Sequence, residues 1–423
     1  MGRLCSTVMT AVALLAAPLA SGRAQERATV LRMADSLVPF VQGASGLTFL
    51  RAPKLGIRTR AEVRQYVSEA LARAFPPTQL ATIATAYHLF GLLPDTAGFA
   101  RLILDLHAEE LRGYYDPLTD SLFAVTGATP EQLREVLAHE MVHALQAQYI
   151  DLGPDAQQRR DNDARTAFSA LIEGQATFAT MRLFSPRRNI VAERGLWDFI
   201  TTHLRAEPMA RPAYRRAPLW VREGLLAPYI YGAQFANYWQ ASELADTLPY
   251  GPRLPRSTEQ ILHFDRYTAH DAPIGLRFTG DTAGALLVED VLGELEIQIL
   301  AAQLAGARAL GRLAPIGWGG DRYRLVQTVD GAALVWYAVW DDPESAARFA
   351  ERTGSRLAAG RKAGYRAVRH AHGVATAGDA VCDGAGRLGR MEQPAGGGGG
   401  EVVSRRLSSR AQRWICSNGS GNR

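Results

Sequence analysis

The spacing of apolar residues divides the chain into helical and extended regions. Residues 27–112 carry apolar positions three and four apart, a pattern that predicts mostly helix. From Gly113 to Val125 the residues favour strands around the turn residues Asp116-Pro117 and Thr119-Asp120, so a β-hairpin is predicted. Helical spacing returns in Thr129–Gln146 and Ala164–Met181, and both segments hold polar residues inside their apolar runs.

The last third of the chain predicts one long helix followed by a small α/β unit. The helix is expected from about Thr282 to Ala305. Gly317–Asp321 is interpreted as a turn, and Arg322–Val329 and Ala332–Trp340 as strands that pair around Asp330-Gly331. A helix with proline in its first turn then follows. Together these patterns predict an α+β fold that is mostly helical.

The first residues are typical of a secretory signal peptide. Arg3 precedes a mostly apolar run from Leu4 to Ala20, and small residues up to Ala24 suit cleavage. An uncleaved anchor helix is the alternative, but the run is short and is interrupted by polar residues and by Pro18. We therefore expect a secreted or periplasmic protein with no stable membrane span after cleavage.

The charge balance argues against a nucleic-acid partner. The sequence pI is about 9.2, but residues 361–423 hold 11 of the 47 basic and only 4 of the 42 acidic residues. The rest of the chain is nearly neutral, so no basic surface is expected there. Residues 396–400 are all glycine, and the segment 371–423 has the composition of a disordered tail. A shifted reading frame in the gene would produce the same composition.

The segment Thr129–Gln146 contains His139-Glu140-Met141-Val142-His143. Histidines four residues apart lie on one face of a helix and can bind a single metal ion, and the glutamate beside the first can reach a water molecule at that ion. Thr129, Pro130 and Gln132 predict a capped helix start. The alternative is a chance match on a buried helix. The three cysteines lie at positions 5, 382 and 416, so any metal site in the body needs histidine and carboxylate ligands.

Glu173 is the candidate for a third ligand, because it lies inside an apolar helical run where an unpaired carboxylate is costly. Zinc sites with three protein ligands often combine two histidines with one glutamate. The alternative is a buried glutamate that pairs with an arginine. The next residue, Gly174, would let another backbone approach this helix closely.

Three further side chains are candidates for stabilising an oxyanion: His263, Tyr231 and Tyr229. Structural roles compete in each case, namely aromatic packing for the tyrosines and a buried hydrogen bond for the histidine. The second arm of the hairpin, Leu122–Val125, could offer a strand edge to an extended peptide, although a covering sheet explains it as well.

At this point the chain resembles secreted bacterial metallopeptidases of the gluzincin type, with a peptidase MA-like domain. The resemblance covers roughly residues 30–350. It rests on these segments: Gly-Tyr-Tyr-Asp-Pro at 113–117, Ala-His-Glu-Met-Val-His-Ala-Leu-Gln at 138–146, Ala-Leu-Ile-Glu-Gly-Gln-Ala-Thr at 170–177, Pro-Tyr-Ile-Tyr-Gly at 228–232, Ser-Thr-Glu-Gln-Ile-Leu-His at 257–263 and Gly-Trp-Gly-Gly-Asp-Arg-Tyr at 317–323.

The resemblance implies a zincin-like core, Zn²⁺ held by His139, His143 and Glu173, and Glu140 as the catalytic base. Many members carry an aspartate four residues after the glutamate ligand, but Thr177 stands there in this chain. Support for an imidazole must therefore come from elsewhere, and Asp161 or Asp163 is the candidate. The predicted organisation is a signal peptide at 1–24, a helical region at 27–112, a zincin-like core at 113–310, an α/β unit at 311–370 and the tail at 371–423.

These observations predict an exported zinc-dependent peptidase that acts on a peptide or protein substrate. A non-catalytic metal-binding or interaction protein with a zincin-like fold is the alternative, and a hydrolase of non-peptide amides is a third. The intact Glu140 favours the catalytic hypotheses, because metal storage alone would not require it. The oligomeric state is left open.

Overall fold

The fold is given by a computed structural model. It describes residues 5–153, 160–185, 196–279, 284–308, 316–329, 331–358, 366–370, 373–378 and 390–392. The architecture of these residues is mixed α and β and mostly helical, which confirms the predicted class. None of the described helices combines the length and apolar character needed to cross a membrane.

The helices are α1 (Cys5–Ser45), α2 (Arg60–Ala74), α3 (Pro77–Phe90), α4 (Phe99–Glu110), α5 (Pro130–Gln146), α6 (Asn162–Phe184), α7 (Leu196–Ala206), α8 (Pro212–Arg216), α9 (Leu219–Ala241), α10 (Thr258–Leu262), α11 (Phe264–Thr268), α12 (Gly293–Leu304) and α13 (Pro343–Ala358). The strands are β1 (Lys54–Arg58), β2 (Gly113–Asp116), β3 (Ser121–Val125), β4 (Arg277–Thr279), β5 (Ala285–Asp290), β6 (Trp318–Thr328), β7 (Gly331–Trp340), β8 (Arg366–His370), β9 (Gly373–Gly378) and β10 (Arg390–Glu392). Short 3₁₀ turns cover Glu207–Ala210 and Gly251–Arg253.

The chain divides into two compact units. Unit 1 comprises Met1–Ala70, His107–Gly153 and Gln175–Glu193, and unit 2 comprises Leu71–Leu106, Pro154–Gly174 and Arg194–Arg423. Unit 1 holds a three-stranded sheet in the order β1-β3-β2. Helix α5 packs against the strands β2 and β3 of this sheet. The apolar side of α5 is buried, including Leu137, Met141 and Leu145, as the helical spacing predicts.

The predicted hairpin is confirmed, but its second arm is not an edge. β2 and β3 pair antiparallel, and β1 pairs with β3 in parallel on the other side. β3 is therefore the central strand, so the prediction that Leu122–Val125 offers a free edge to a peptide is wrong. The sequence signal failed because β1 is only five residues long and its pairing with β3 is non-local.

Unit 2 holds a five-stranded antiparallel sheet in the order β5-β6-β7-β9-β8. The predicted pairing around Asp330-Gly331 is confirmed by the register of β6 and β7, in which Thr328 lies opposite Gly331. Helix α13 packs against β7 and β9, and its Phe349 contacts the buried ring of Trp340. The sheet and α13 contribute to the apolar core of this unit, in which Phe90 of α3 packs edge-on against Trp336.

The long helix predicted over Thr282–Ala305 is wrong. Ala285–Asp290 forms the strand β5, and α12 begins only at Gly293. Gly293 has φ +80°, which is not a helical value, so a continuous helix is interrupted at this residue. A Cβ built there would lie 1.9 Å from Asp163 Oδ1, so the position also has no room for a side chain. Leucines that would have formed a helical face instead lie exposed on β5, because the ladder with β6 determines the local structure.

The predicted turn at Gly317–Asp321 is also wrong, since β6 begins at Trp318 with a bulge before Gly320. The bulged segment presents Asp321 to four donors within unit 2. Its carboxylate accepts hydrogen bonds from the backbone N–H of Leu292 and Gly293 and from the indole N–H of Trp318 and Trp336, at 2.9–3.1 Å. Glycines and aromatic residues here therefore serve a buried network rather than a reverse turn.

Parts of both ends of the chain form regular secondary structure. Residues 5–24 of the predicted signal peptide belong to α1. The strands β9 and β10 lie inside the segment 371–423, for which composition predicts disorder. The remainder of the segment lies outside the described residues. Composition alone missed β9 because its partners, β7 and β8, precede it in the chain.

Candidate metal centre

Helix α5 positions three of the candidate residues. The Thr129 hydroxyl accepts a hydrogen bond from the Gln132 N–H, and the Gln132 side chain accepts one from the Thr129 N–H. With Pro130 at the first helical position, this confirms the predicted capping box. The cap sets where the helix begins, and His139 and His143 then lie one turn apart on the same face.

His139, His143 and Glu173 form a group whose side chains could hold a metal ion. The Nε2 atoms of His139 and His143 are 3.1 Å apart, and their rings are nearly perpendicular. One ligand atom from each of the three residues lies within 4.8 Å of the others. Ligand atoms of a tetrahedral zinc ion with bonds of about 2.1 Å stand about 3.4 Å apart, so small side-chain rotations would suffice to hold an ion.

The donor set fits zinc. Two imidazole nitrogens and one carboxylate oxygen are ordinary zinc ligands, and His143 Nδ1 lies 2.9 Å from Gln146 Oε1. Because an amide oxygen only accepts, Nδ1 carries the proton and the lone pair of Nε2 faces the cluster. At 3.1 Å the two Nε2 atoms suit either an N–H···N hydrogen bond from His139 or a cation between them.

Glu140 lies half-buried beside the edge strand β2. A Cβ on Gly113 would stand 2.4 Å from Val136 Cγ1 and 3.5 Å from Glu140 Cγ. Only glycine therefore allows the backbone of β2 to run this close to α5. The consequence is that the candidate base stands next to a stretch of extended main chain.

Helix α6 carries Glu173, which is half-buried rather than fully buried as its apolar neighbours suggested. The close approach predicted for Gly174 is confirmed within unit 2. A Cβ at Gly174 would lie 2.0 Å from the carbonyl carbon of Gly232 in α9, and a Cβ at Gly232 would lie 1.8 Å from the Ala170 carbonyl oxygen. Paired glycines thus let two helix backbones touch one residue from the candidate ligand.

We expect Gly174→Ala to weaken both folding and metal binding. The added methyl group must push the α6 backbone away from Gly232, and such overpacking typically costs about 1–3 kcal/mol. Urea unfolding and a zinc-binding titration measure the two effects. Gly224→Ala is the matched control, because Gly224 lies exposed in α9 with open space at its Cβ; this variant should gain up to about 1 kcal/mol. Equal stabilities of the two variants would contradict the prediction.

The predicted support of an imidazole by Asp161 or Asp163 is wrong. Asp163 is buried and accepts hydrogen bonds from the Thr258 N–H and hydroxyl at 3.0 and 2.6 Å. Asp161 accepts from the Ala164 N–H at the start of α6. Both carboxylates therefore accept backbone N–H groups at the starts of helices. They do so because they lie at the beginning of α6, close to N–H groups that have no partner within a helix.

Two glutamines were missed by sequence reasoning. Gln146 is fully buried, and it accepts from His143 Nδ1 while its Nε2 donates to Gln175 Oε1 at 3.1 Å. The signal was present, because a residue three positions after a histidine lies beside it on a helix. The sequence prediction named carboxylates as partners for an imidazole, although an amide oxygen accepts the same N–H.

The oxyanion candidates have other partners in unit 2. The Tyr231 hydroxyl accepts from Arg205, which also pairs with Glu223 at 3.2 Å, and burial raises the pKa of Tyr231. His263 Nε2 lies 3.1 Å from Glu294 Oε1, and both side chains are buried. Tyr229 is half-buried in α9. Among the described residues His263 is not part of the ligand cluster, and an oxyanion-stabilising role for any of the three stays a prediction.

Comparison with known proteins bears on a different part of the chain. No curated protein and no solved structure matches it. Residues 282–393 match a family described as a domain of unknown function, DUF8575. That region lies in unit 2 and runs from β5 to β10. The matched domain therefore includes Asp321 and its four hydrogen-bond donors, and it leaves the candidate metal centre outside.

Proposed function

We propose that this protein is an exported zinc-dependent peptidase with a zincin-like core built around α5 and α6. The observation that carries the proposal is the convergence of His139, His143 and Glu173, with Glu140 next to the first ligand. The spacing of the histidines comes from one capped helix, and the glutamate comes from the next helix in the chain.

His139, His143 and Glu173 would hold the zinc ion and leave a position open to solvent or substrate. A zinc ion bound there polarises a carbonyl group and lowers the pKa of water. Glu140 would accept a proton from a water molecule whose oxygen adds to the peptide carbonyl carbon, and would pass that proton to the leaving nitrogen as the C–N bond breaks. Its half-buried position keeps the carboxylate accessible to water while the helix fixes its direction.

A peptide substrate would bind along the outer edge of β2. This edge has no strand partner among the described residues, whereas β3 is paired on both sides. An extended peptide could pair with the backbone of β2, and the contact at Gly113 would bring its main chain close to Glu140. Because such pairing needs a continuous main chain, the unpaired edge of β2 favours a peptide rather than a non-peptide amide as substrate.

We expect the purified protein to bind about one zinc ion per chain, and His143→Ala to lose most of it. Elemental analysis after dialysis measures the zinc content. His270→Asn is the control, because His270 is exposed and its φ of +57° is one that asparagine tolerates. Equal zinc content in wild type and His143→Ala would contradict the proposed site.

Digestion of a broad peptide library tests the activity itself. Cleavage by wild type that a chelator stops and added zinc restores is the expected result. Zinc-loaded wild type that cleaves no peptide would overturn the peptidase proposal and favour the non-catalytic alternative.

A further inference from the structure

We propose that Gln146 is the positioning residue for the His143 ligand, as a neutral amide in the place where a carboxylate could stand. This inference rests on the proposed zinc site. It assigns to one buried glutamine the control of which nitrogen of His143 faces the metal and how strongly that nitrogen binds it.

The contacts form a short chain through buried side chains. His143 Nδ1 donates to Gln146 Oε1 over 2.9 Å, and Gln146 Nε2 donates to Gln175 Oε1 over 3.1 Å. Gln146 has no exposed surface, and His143 is buried as well. Water is therefore a poor substitute for the hydrogen bond between His143 and Gln146, and the amide orientation sets the imidazole tautomer.

Other polar groups near the ligands do not take this role. Thr177 lies one turn beyond Glu173, and its buried hydroxyl has no hydrogen-bond partner among the described residues. Asp163 is occupied by Thr258. Among the described contacts of His143, Gln146 thus supplies the acceptor for Nδ1.

The neutrality of the amide has a chemical consequence. A carboxylate acceptor would pull harder on the Nδ1 proton and make Nε2 a stronger ligand than an amide acceptor does. The glutamine also adds no negative charge to a site that already contains Glu140 and Glu173. We therefore expect a metal ion that is held firmly but less tightly than with a carboxylate partner.

Zinc affinity of three variants tests this. Gln146→Leu removes the acceptor and should weaken zinc binding about 10–100-fold in a competition titration with a chelator. Gln146→Glu keeps an acceptor, and the Gln175 amide can turn to donate to it, so zinc should bind at least as tightly as in wild type. Gln148→Leu is the control two residues away, because the described hydrogen bonds of this side chain go to the backbone of Leu50 and Arg51; its zinc affinity should match wild type.

Two metal-free measurements separate positioning from simple structural support. Nitrogen-15 spectra of histidine-labelled apoprotein should show the Nδ1–H form of His143 in wild type and in Gln146→Glu, and a mixture of forms in Gln146→Leu. Thermal unfolding of the apoproteins shows whether each variant folds. A folded Gln146→Leu that binds zinc as tightly as wild type would overturn the inference, and so would a Gln146→Glu that binds more weakly than Gln146→Leu.

The outcome is distinguishable from that of the proposed function. Wild type that binds zinc but hydrolyses no peptide, with the affinities ordered as above, keeps the role of Gln146 and removes the peptidase proposal. Hydrolysis together with equal affinities does the reverse. Wild type that binds no zinc overturns both.

Discussion

Glu140→Gln is expected to keep its zinc and to lose peptide hydrolysis by at least about a hundredfold. The amide has nearly the shape of the carboxylate but cannot take a proton from water, and general-base catalysis typically contributes 10²–10⁴-fold. The three ligands are untouched by the substitution, so metal content should equal that of wild type. Initial rates on a cleaved library peptide, with zinc content measured on the same samples, give both numbers.

Glu135→Gln is the matched control for that variant. Glu135 lies on the same helix, α5, but is exposed, so the same change of charge should leave hydrolysis nearly unchanged. Hydrolysis by Glu140→Gln at the wild-type rate would show that this carboxylate is not the base. A loss of zinc in Glu140→Gln would instead assign Glu140 to metal binding.

Asp321→Asn is expected to lower the free energy of unfolding by about 3–6 kcal/mol. Each carboxylate oxygen of Asp321 accepts two N–H groups, from Gly293 and Trp318 on one side and from Leu292 and Trp336 on the other. Asparagine replaces one acceptor by an N–H₂ group that faces two donors. Two charge-assisted hydrogen bonds of about 1.5–3 kcal/mol each are lost.

The carboxyl group of Asp321 must be ionised in this experiment, so unfolding is measured at pH 7 or above. Burial raises its pKa to about 6, although the four donors act in the opposite direction, so at pH 7 the group is mostly ionised. Urea unfolding of wild type and variant gives the difference in free energy. Asp246→Asn, at an exposed position, should change stability by less than about 0.5 kcal/mol. A similarly small change in Asp321→Asn would show that the network contributes little.

The predictions that held depend on residues close together in the chain. The capping box at Thr129, the spacing of His139 and His143, and the hairpin from Gly113 to Val125 are all specified within a few residues. A helix or hairpin satisfies most of its own backbone hydrogen bonds, so its sequence signal needs no distant partner.

The predictions that failed depend on distant partners. The apolar residues of Thr282–Ala305 suit either one long helix or a strand followed by a helix. Pairing of β5 with β6 selects the strand followed by a helix. The same holds for β1, which makes β3 a central strand. Asp163 was predicted to support an imidazole, but Thr258 satisfies that aspartate across 95 residues, and Gln146 contacts His143 instead.

Sequence patterns were therefore sufficient to name His139 and His143 as candidate ligands on α5 and Glu140 as the candidate acid–base residue. The convergence of Glu173 with the two histidines, the glutamine on His143 and the occupied state of Asp163 required the fold. The physical reason is the range of the interactions. Helix periodicity and capping act over one or two turns, whereas a ligand set and its buried hydrogen bonds depend on which helices pack together, as at Gly174 and Gly232.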